Sequence, residues 1–328
     1  MSTLTRFVLE RSTRLALPIL TFPGAAFTGA TVHELVTDPA AQVAAQVALR
    51  ERLATPALLS CMDLSVEAEA FGCAINLAAE EVPTVLGRLV TDETGVEALP
   101  VPNLGAGRTN VYLETVRRLA ALPGQTPVLA GMIGPFSLAA RIYGVGEALG
   151  LSLDDPELTH RLLGKTNQFL IAYARAFKTA GATGVIMAEP TAGLLSPRAL
   201  AEFSSAYVKQ IVAAVDDDTF TVVLHNCAAR LVHLPAVLTA GARVFHFGAP
   251  MNLPAALAQV PADVILCGNL DPAGVFVQSN PAAVREAVRG LVAATRAHRN
   301  FVLSSGCDVP PKTPLANLDA FFQALKTD

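Results

Sequence analysis

Eight short apolar runs alternate with longer Ala- and Leu-rich segments, and this alternation is the sequence feature that most restricts the fold. An apolar run followed by a segment of helical period is typical of a βα unit, and repeated βα units build a parallel sheet. Eight such units favour a TIM (β/α)8 barrel, although a doubly wound open sheet has the same pattern. The predicted strands are residues 18–22, 57–63, 127–134, 184–189, 219–227, 242–247, 264–269 and 301–305.

The segments between the strands supply the predicted helices and one insertion. Residues 73–103 fit neither a strand nor a long helix, and we interpret them as a loop or hairpin inserted after the second strand, over the barrel mouth. Without a repeat or a linker, we expect residues 1–328 to form a single TIM-barrel domain. The predicted helices are residues 38–53, 109–121, 159–179, 197–215, 234–239 and 281–295.

Composition excludes several classes of function. A net charge of −4 without a Lys/Arg cluster argues against a nucleic-acid partner. No apolar stretch approaches the roughly 18 residues of a membrane span, and residues 1–14 lack a signal-peptide pattern, so we expect a cytoplasmic protein without membrane contact. The five cysteines are dispersed, which indicates reduced thiols instead of a disulfide framework.

Polar residues occur repeatedly at the C-terminal ends of the predicted strands. In a TIM barrel these ends form the catalytic face. The pattern therefore predicts a functional site at this end of the sheet. The residues are Asp63, Glu189, His225, Cys227, Asn269, Asp271, Cys307 and Asp308.

Three of these residues have the chemistry of a metal site. His225 and Cys227 are two positions apart at the end of one apolar run, so a strand directs both to the same side. Cys307 follows another apolar run, and a fold that joins the two strand ends would assemble three soft ligands. Taken alone, Cys227 fits a small buried hydrophobic residue better than a metal ligand, and the metal site depends on the three residues together.

These residues resemble the zinc site of the corrinoid-dependent methyltransferases in the uroporphyrinogen decarboxylase superfamily. The most specific part is His225-x-Cys227 followed far downstream by Gly306-Cys307. The resemblance extends over most of the chain. Its other parts are MDLSVEAEAFG at 62–72, GPFSLA at 134–139, EPTAGLLSP at 189–197, GNLDP at 268–272 and GCDVPPKTP at 306–314.

The resemblance implies a barrel in which Zn²⁺, bound by His225, Cys227 and Cys307, activates a thiol such as coenzyme M. The thiol accepts a methyl group from a methylated corrinoid, which is protein-bound or free. The implied partners are therefore a corrinoid protein and a small thiol. The oligomeric state is left open, with a homodimer as one alternative. Arg141, Arg230 and Lys312 are near enough to mouth loops to bind an acidic group of the acceptor, whether sulfonate, folate carboxylate or phosphate.

Three further residues have site roles that the sequence leaves open. Glu189 is predicted either as a fourth zinc ligand or as an acceptor for His225, against the alternative of a simple mouth carboxylate. Asp63 matches the catalytic Asp of the decarboxylase branch, and in a methyltransferase we expect it to orient a mouth residue or the substrate. His246 faces either the barrel interior or the surrounding helices, and Gly248 stands where both branches usually have Asp.

Two other functions compete with the methyltransferase. One is a decarboxylase acting on a tetrapyrrole, which would need several cations near the N-terminus for the substrate carboxylates. Residues 18–28 contain no Arg. The other is a barrel that binds corrinoid or metal without turnover. Bound zinc that is lost on substitution of Cys227 or Cys307 would favour the methyltransferase.

Overall fold

Seven parallel strands form one sheet in the computed structural model, which describes residues 3–326. The sheet order is β1-β4-β5-β6-β7-β8-β9, so each strand in it pairs with the next along the chain, as βα units require. The predicted α/β fold with a parallel sheet in sequence order is confirmed. The strands are β1 (Leu58–Leu59), β2 (Ala74–Asn76), β3 (Thr84–Leu86), β4 (Val128–Ile133), β5 (Gly184–Ala188), β6 (Thr221–Asn226), β7 (Val244–Phe247), β8 (Ile265–Leu270) and β9 (Phe301–Ser305).

Helices connect the strands, and several begin at a capping side chain followed by Pro. Asp38, Asp155 and Asn280 cap helices in this way, which explains why these boundaries are readable from the sequence. The α-helices are α1 (Thr3–Leu9), α2 (Ala25–Thr28), α3 (Val32–Thr37), α4 (Pro39–Leu53), α5 (Val66–Phe71), α6 (Glu93–Ala98), α7 (Thr109–Ala120), α8 (Pro135–Tyr143), α9 (Val145–Asp154), α10 (Pro156–Thr179), α11 (Pro197–Leu200), α12 (Ala206–Val215), α13 (Leu234–Leu238), α14 (Leu253–Leu257), α15 (Pro281–Ala294) and α16 (Leu315–Lys326).

The predicted first strand, residues 18–22, is wrong. The N-terminal segment pairs with β9 only around Ala16, which forms an isolated parallel bridge with Leu303. Pro18 has no N–H to donate to a ladder. Towards β1, the side chain of Gln46 replaces a direct ladder, because its Nε2 donates to Leu20 O at 3.1 Å and its Oε1 accepts from Leu59 N at 2.9 Å. Backbone pairing across residues 3–326 therefore gives seven strands and one bridged segment instead of a closed eight-stranded ladder.

The predicted helix at 197–215 is also interrupted. A π-helical stretch, Ala201–Ser205, separates α11 from α12. A π-bulge adds a residue to one turn and so rotates the side chains that follow it around the helix axis. The apolar periodicity of the sequence does not show such an added residue. The stretch brings Ser204 into hydrogen-bonding contact with Glu189.

The interior face of the sheet changes from apolar to polar towards its C-terminal end. Alternate residues of a strand share one face, and Val223, Val244 and Val302 are interior residues in one apolar cluster with the N-terminal helix α1. Two residues further along the same strands are His225, His246 and Ser304, all buried. The period of two therefore places a buried polar layer directly above the apolar one.

Residues 73–103, predicted as an insertion, contain β2 and β3. These strands pair with each other in an antiparallel two-stranded sheet, Ala74 opposite Leu86. They do not join the seven-stranded sheet. Among the described residues, no helix is both long enough and apolar enough to cross a membrane.

A buried carboxyl group in α5 provides a test of the packing between α5 and β4. Glu67 Oε1 accepts from Ile133 N at 3.1 Å, and Oε2 has no hydrogen-bond partner in the described part of the chain. Burial raises the pKa of Glu67 to about 8. In the unfolded chain, the carboxyl group of Glu67 ionises near pH 4.5. Stability should therefore fall as pH rises from 4.5 to 8, because the folded state retains a proton that the unfolded chain releases.

We expect the substitution Glu67→Gln to remove most of this pH dependence. Between pH 5.5 and 7.5 the free energy of unfolding of the wild type should fall by about 2 kcal/mol more than that of the variant. Urea unfolding at the two pH values measures the difference. Parallel pH profiles for the two proteins would contradict the assignment of a protonated Glu67.

Candidate metal centre

Three soft side chains converge at the C-terminal end of the sheet. The candidate ligand atoms of His225, Cys227 and Cys307 all lie within 4.8 Å of one another. His225 is buried, whereas the two cysteines are partly exposed. The structure thus brings together the three residues that the sequence singled out, from strand ends 80 residues apart in the chain (227 to 307).

The end of β6 fixes His225 and Cys227. His225 O accepts from Glu189 N at 2.8 Å, which anchors the strand end to the residue that follows β5. The side chain of Asn226 accepts hydrogen bonds from Ala228 N and Ala229 N at 3.2 and 2.9 Å. This local turn, typical of Asn, bends the chain directly after Cys227 and keeps the thiol at the mouth.

Hydrogen bonds to the end of β8 and to the N-terminal segment hold the loop that carries Cys307. Gly306 N donates to Leu270 O at 2.6 Å, Thr21 Oγ1 donates to Asp308 Oδ2 at 2.6 Å, and Val309 N donates to Ile19 O at 2.9 Å. The segment that fails to form a strand therefore has another structural role. Its residues position the third candidate ligand.

A second imidazole lies behind His225. Nδ1 of His225 lies 2.8 Å from Nδ1 of His246, and Nε2 of His246 lies 2.7 Å from Ser304 Oγ. His246 shares the interior face with His225, which settles the orientation that the sequence left open. Burial, followed by the neighbouring His225, lowers the pKa of His246 well below its ordinary value, so this imidazole is neutral.

The unpaired atoms of this group suit a soft divalent metal. Within residues 3–326, His225 Nε2 is buried and has no hydrogen-bond partner, which is unfavourable unless a ligand binds this nitrogen. If Nδ1–H of His225 donates to His246, the lone pair of Nε2 points into the group. The hydrogen bond between the two thiols lowers the pKa of Cys227 to about 7 and, with burial, raises that of Cys307 to about 12. One imidazole nitrogen and two thiols match the ligands that Zn²⁺ prefers.

Gly248, which stands where an Asp was expected, is in close contact with the metal-binding turn. A Cβ atom at this position would lie 2.0 Å from the carbonyl oxygen of Cys227. Real Cβ atoms do not approach backbone oxygens this closely, so a side chain here would displace Cys227. Gly therefore replaces the expected Asp at position 248 because the backbone of Cys227 leaves no room for a side chain there.

We expect Gly248→Ala to weaken metal binding by displacing Cys227, lowering the affinity for Zn²⁺ at least about 10-fold. Gly290→Ala is the matched control, because a Cβ at Gly290 in α15 meets nothing within 4 Å and should leave the affinity unchanged. Chelator competition measures both variants. Equal affinities for Gly248→Ala and wild type would show that the Cys227 backbone tolerates the methyl group.

The backbone of Glu189 lies beside His225, to which its N–H donates, but its carboxylate is bound elsewhere. Its Oε1 accepts from Phe136 N at 2.9 Å, and Oε2 accepts from Ser137 N and Ser137 Oγ at 2.9 and 2.7 Å. Burial raises the pKa of Glu189 to about 7 despite these bonds. Neither role predicted from the sequence, zinc ligand or acceptor for His225, corresponds to these contacts, because the N-terminus of α8 holds both oxygens.

Asp63 belongs to a buried ion-pair network. Its carboxylate is paired with Arg108, accepts from Tyr112 Oη at 3.1 Å, and accepts from Ser65 N and Oγ at 3.0 and 2.6 Å. The Asp63 side chain is 0% exposed. Asp63 therefore holds Arg108 in place, a contact that is consistent with the predicted orienting role; whether it also orients a substrate stays a prediction.

Sequence reasoning missed several residues that support the group. Ser304 and Ser137 are polar residues within apolar or buried segments, and that contrast is the signal that could have indicated them. Gly248 was noticed only as a departure from a pattern. The contact between Thr21 and Asp308 had no signal, because the two residues are 287 positions apart.

Comparisons with known proteins identify relatives of both branches. A sequence model of the uroporphyrinogen decarboxylase (URO-D) family matches residues 13–327. The methylcobamide:CoM methyltransferase MtbA of Methanosarcina acetivorans is 30% identical over 268 residues, covering 80% of this chain and 77% of that protein. A uroporphyrinogen decarboxylase of Ectopseudomonas mendocina is also 30% identical, over 270 residues, covering 74% and 75%. Overall identity therefore does not separate the two activities.

The fold has a solved counterpart. A methyltransferase from Methanosarcina mazei superposes with a TM-score of 0.89, covering 99% of this chain and 97% of that chain at 22% identity. At this identity the likeness establishes a common fold alone. The choice between activities depends on the site.

Proposed function

Because this chain belongs to the uroporphyrinogen decarboxylase family, we propose that it is a corrinoid-dependent methyltransferase whose His225, Cys227 and Cys307 bind a catalytic zinc. The reaction would move a methyl group from a methylcorrinoid, free or protein-bound, to a small thiol. The S–C bond forms as the Co–C bond breaks, the electron pair stays on cobalt as Co(I), and the thiol proton is released to solvent. One observation carries the proposal: the three candidate ligand atoms lie within 4.8 Å of one another, at the C-terminal end of the sheet.

The donor set supports a catalytic instead of a structural metal. Three protein ligands leave one position of a tetrahedral zinc for a substrate. A bound zinc ion would supply Lewis acidity, which keeps a coordinated thiol ionised at neutral pH. Cys227 and Cys307, as thiolates, would balance the charge of the dication, so an acceptor sulfur bound beside them would keep negative charge and nucleophilicity. Neutral His246 holds the ring of His225 without adding charge.

The competing decarboxylase is less well supported by the contacts. Asp63, which matches the catalytic Asp of that branch, is fully buried and its oxygens are bound by Arg108, Tyr112 and Ser65. The N-terminal segment 18–28 also lacks the arginines that a tetrapyrrole carboxylate needs. Neither feature argues against methyl transfer.

The proposal includes the organisation of the protein and its partners. We propose that residues 1–328 form one domain, supported by a family match over residues 13–327. We also propose a corrinoid protein as partner, by analogy with the methylcobamide:CoM methyltransferase relatives.

The proposed function is tested by demethylation of methylcobalamin with a panel of acceptors. The panel contains coenzyme M, other thiols and tetrahydrofolate, and zinc content is measured on the same samples. We expect about one zinc per chain and thiol-dependent demethylation. Full activity or full ligand binding by metal-free protein would refute the zinc mechanism.

A further inference from the structure

Two adjoining cavities lie at the N-terminal end of the sheet, opposite the candidate metal centre. Both are lined by residues 11–15, which precede the bridge between Ala16 and Leu303. The larger cavity has a volume of about 680 Å³ and extends to the segment between α4 and β1. The smaller cavity, of about 220 Å³, extends to the loop between α15 and β9. The cavities therefore occupy the place between β1 and β9 where the N-terminal segment does not form a strand.

Four arginines line these cavities, and the fold collects them from the two ends of the chain. Arg11 and Arg14 lie in the wall that the cavities share, and Arg296 and Arg299 lie in the loop before β9. The sequence shows no cluster of cations because the two pairs are far apart in the chain. Among residues 3–326, no Asp or Glu lines either cavity, and none forms a salt bridge with these arginines. The result is a local excess of positive charge on a chain with a net charge of −4.

Arg14 is the partly buried member of this group, and its position is fixed. Its Nη1 donates to Thr295 Oγ1 at 3.3 Å and its Nη2 donates to Thr295 O at 3.2 Å, while its Cζ lies 5.3 Å from the centre of the Phe301 ring. Burial lowers the pKa of Arg14. A guanidinium has five N–H donors, so other donors of Arg14 stay available to a ligand. An anion here would replace water that the guanidinium loses on burial.

A hydrogen bond joins the two groups of arginines. Nη2 of Arg299 donates to Arg11 O at 3.4 Å, which connects the loop before β9 to the shared wall. The guanidinium of Arg11 stacks on the ring of Phe7, with Cζ 5.0 Å from the ring centre. These contacts hold the cations on both sides of the smaller cavity.

The remaining wall of the larger cavity is mainly apolar. Its side chains are Leu53 from α4, Val292 from α15, and Phe322 and Leu325 from α16. Cations on one side and apolar side chains on the other suit an amphiphilic anion. A single carboxylate would leave most of the guanidiniums without a counter-ion. A phosphate monoester brings a charge of about −1.5 to −2 and three acceptor oxygens, which the guanidinium fork matches.

We propose that the two cavities form one binding site for an organic phosphate with an apolar portion. The phosphate lies between Arg14 and Arg296, and the apolar portion packs against Leu53 and Phe322. The larger cavity, of about 680 Å³, falls within the range of about 300–1,000 Å³ that is typical of small-molecule sites. The inference does not depend on the proposed function, because the candidate metal centre is at the other end of the sheet.

The first test is calorimetry with three related compounds and the full-length wild type. Hexyl phosphate has the anion and the chain, inorganic phosphate has the anion alone, and hexanol has the chain alone. We expect hexyl phosphate to bind at least about 10-fold more tightly than either of the other two compounds. Equal affinities for hexyl phosphate and inorganic phosphate, or no binding of hexyl phosphate, would overturn the proposal.

Two variants remove cations from opposite sides of the site. Arg14→Gln should weaken the binding of hexyl phosphate about 10- to 100-fold, because a charge-assisted hydrogen-bonded pair is lost. Arg296 is exposed, so Arg296→Gln should fold normally and weaken binding about 3-fold. Arg198→Gln is the matched control, because Arg198 is an exposed residue of α11 that lines neither cavity.

Unfolding midpoints verify that the variants are folded. Unchanged affinity in both Arg14→Gln and Arg296→Gln, or an equal loss in Arg198→Gln, would overturn the site. A loss confined to the two cavity variants supports it, whatever the outcome for zinc and methyl transfer.

A vesicle assay separates a lipid from a soluble phosphate as the source of the ligand. Flotation of the protein is compared on phosphatidylcholine vesicles with and without phosphatidate. Flotation that requires phosphatidate and is lost in Arg14→Gln would assign the phosphate to a lipid, whereas calorimetric binding without flotation would assign it to a soluble compound. Flotation that Arg14→Gln leaves unchanged, or no binding in either assay, would overturn the proposal.

Discussion

Cys227→Ser and Cys307→Ser should each abolish stoichiometric zinc binding and reduce methyl transfer to the thiol by more than about 100-fold. Removing a metal ligand should reduce zinc affinity and activity by more than the roughly 10- to 100-fold that follows removal of a residue hydrogen-bonded to a ligand. Among His225, Cys227 and Cys307, only the two cysteines can supply negative charge to balance Zn²⁺. Zinc per chain and methylcobalamin demethylation, measured on the same preparations, test both variants.

Cys267→Ala is the matched control for these substitutions. Cys267 is a buried thiol in β8 and belongs to the interior apolar cluster, but it is not among the three clustered ligands. Its substitution should retain about one zinc per chain and most of the activity. Zinc retained at full affinity by Cys227→Ser, or lost equally by Cys267→Ala, would remove the basis of the assignment.

His246→Ala should weaken zinc binding by about 10- to 100-fold, although His246 is not a ligand in this account. Nδ1 of His246 lies 2.8 Å from Nδ1 of His225, and with the His225 proton on Nδ1 this contact leaves Nε2 of His225 free to bind metal. Loss of such an outer partner typically reduces metal affinity to this extent. The measurement is chelator competition with zinc, together with the visible absorption of the cobalt(II)-substituted protein, which reports on ligand geometry.

His246→Gln distinguishes positioning from packing. Its amide oxygen can still accept from His225, so the variant should recover part of the zinc affinity lost in His246→Ala. The unfolding midpoints of the two metal-free variants show how much each destabilises the barrel interior. Identical zinc affinities for the Ala and Gln variants, or a cobalt spectrum unchanged in both, would mean that His246 contributes packing alone and does not position the ring of His225.

Periodicity predicted the parts of the fold that depend on local rules. Buried strands such as β5 and β9 are continuous apolar runs, and α4 and α15 begin at a cap followed by Pro, so their boundaries are close to those predicted. The prediction of a first strand at residues 18–22 was wrong because side chains replace backbone partners there. Leu20 O accepts from the Gln46 side chain, 26 residues away, and Ile19 N donates to Ser305 Oγ. No local pattern encodes a ladder completed by side chains.

The candidate metal centre was predictable for a related reason. His225 and Cys227 share a strand end, and the barrel rule brings the ends of β6 and β9 to one face. The contacts of Glu189 were not predictable, because a carboxylate at a strand end can bind either a metal or the N-terminus of the next helix. The sequence places Glu189 at a strand end but does not show whether its carboxylate binds a metal or the N-terminus of α8. The pairing of His225 with His246 depends in the same way on strand register.

Zinc K-edge X-ray absorption of the purified protein, recorded with and without the thiol acceptor, identifies the ligands of the proposed zinc. We expect two sulfur ligands and one imidazole from the protein, with a third sulfur appearing when the thiol binds. An unchanged spectrum on addition of thiol, or a zinc environment without two sulfur ligands, would contradict the proposed zinc site.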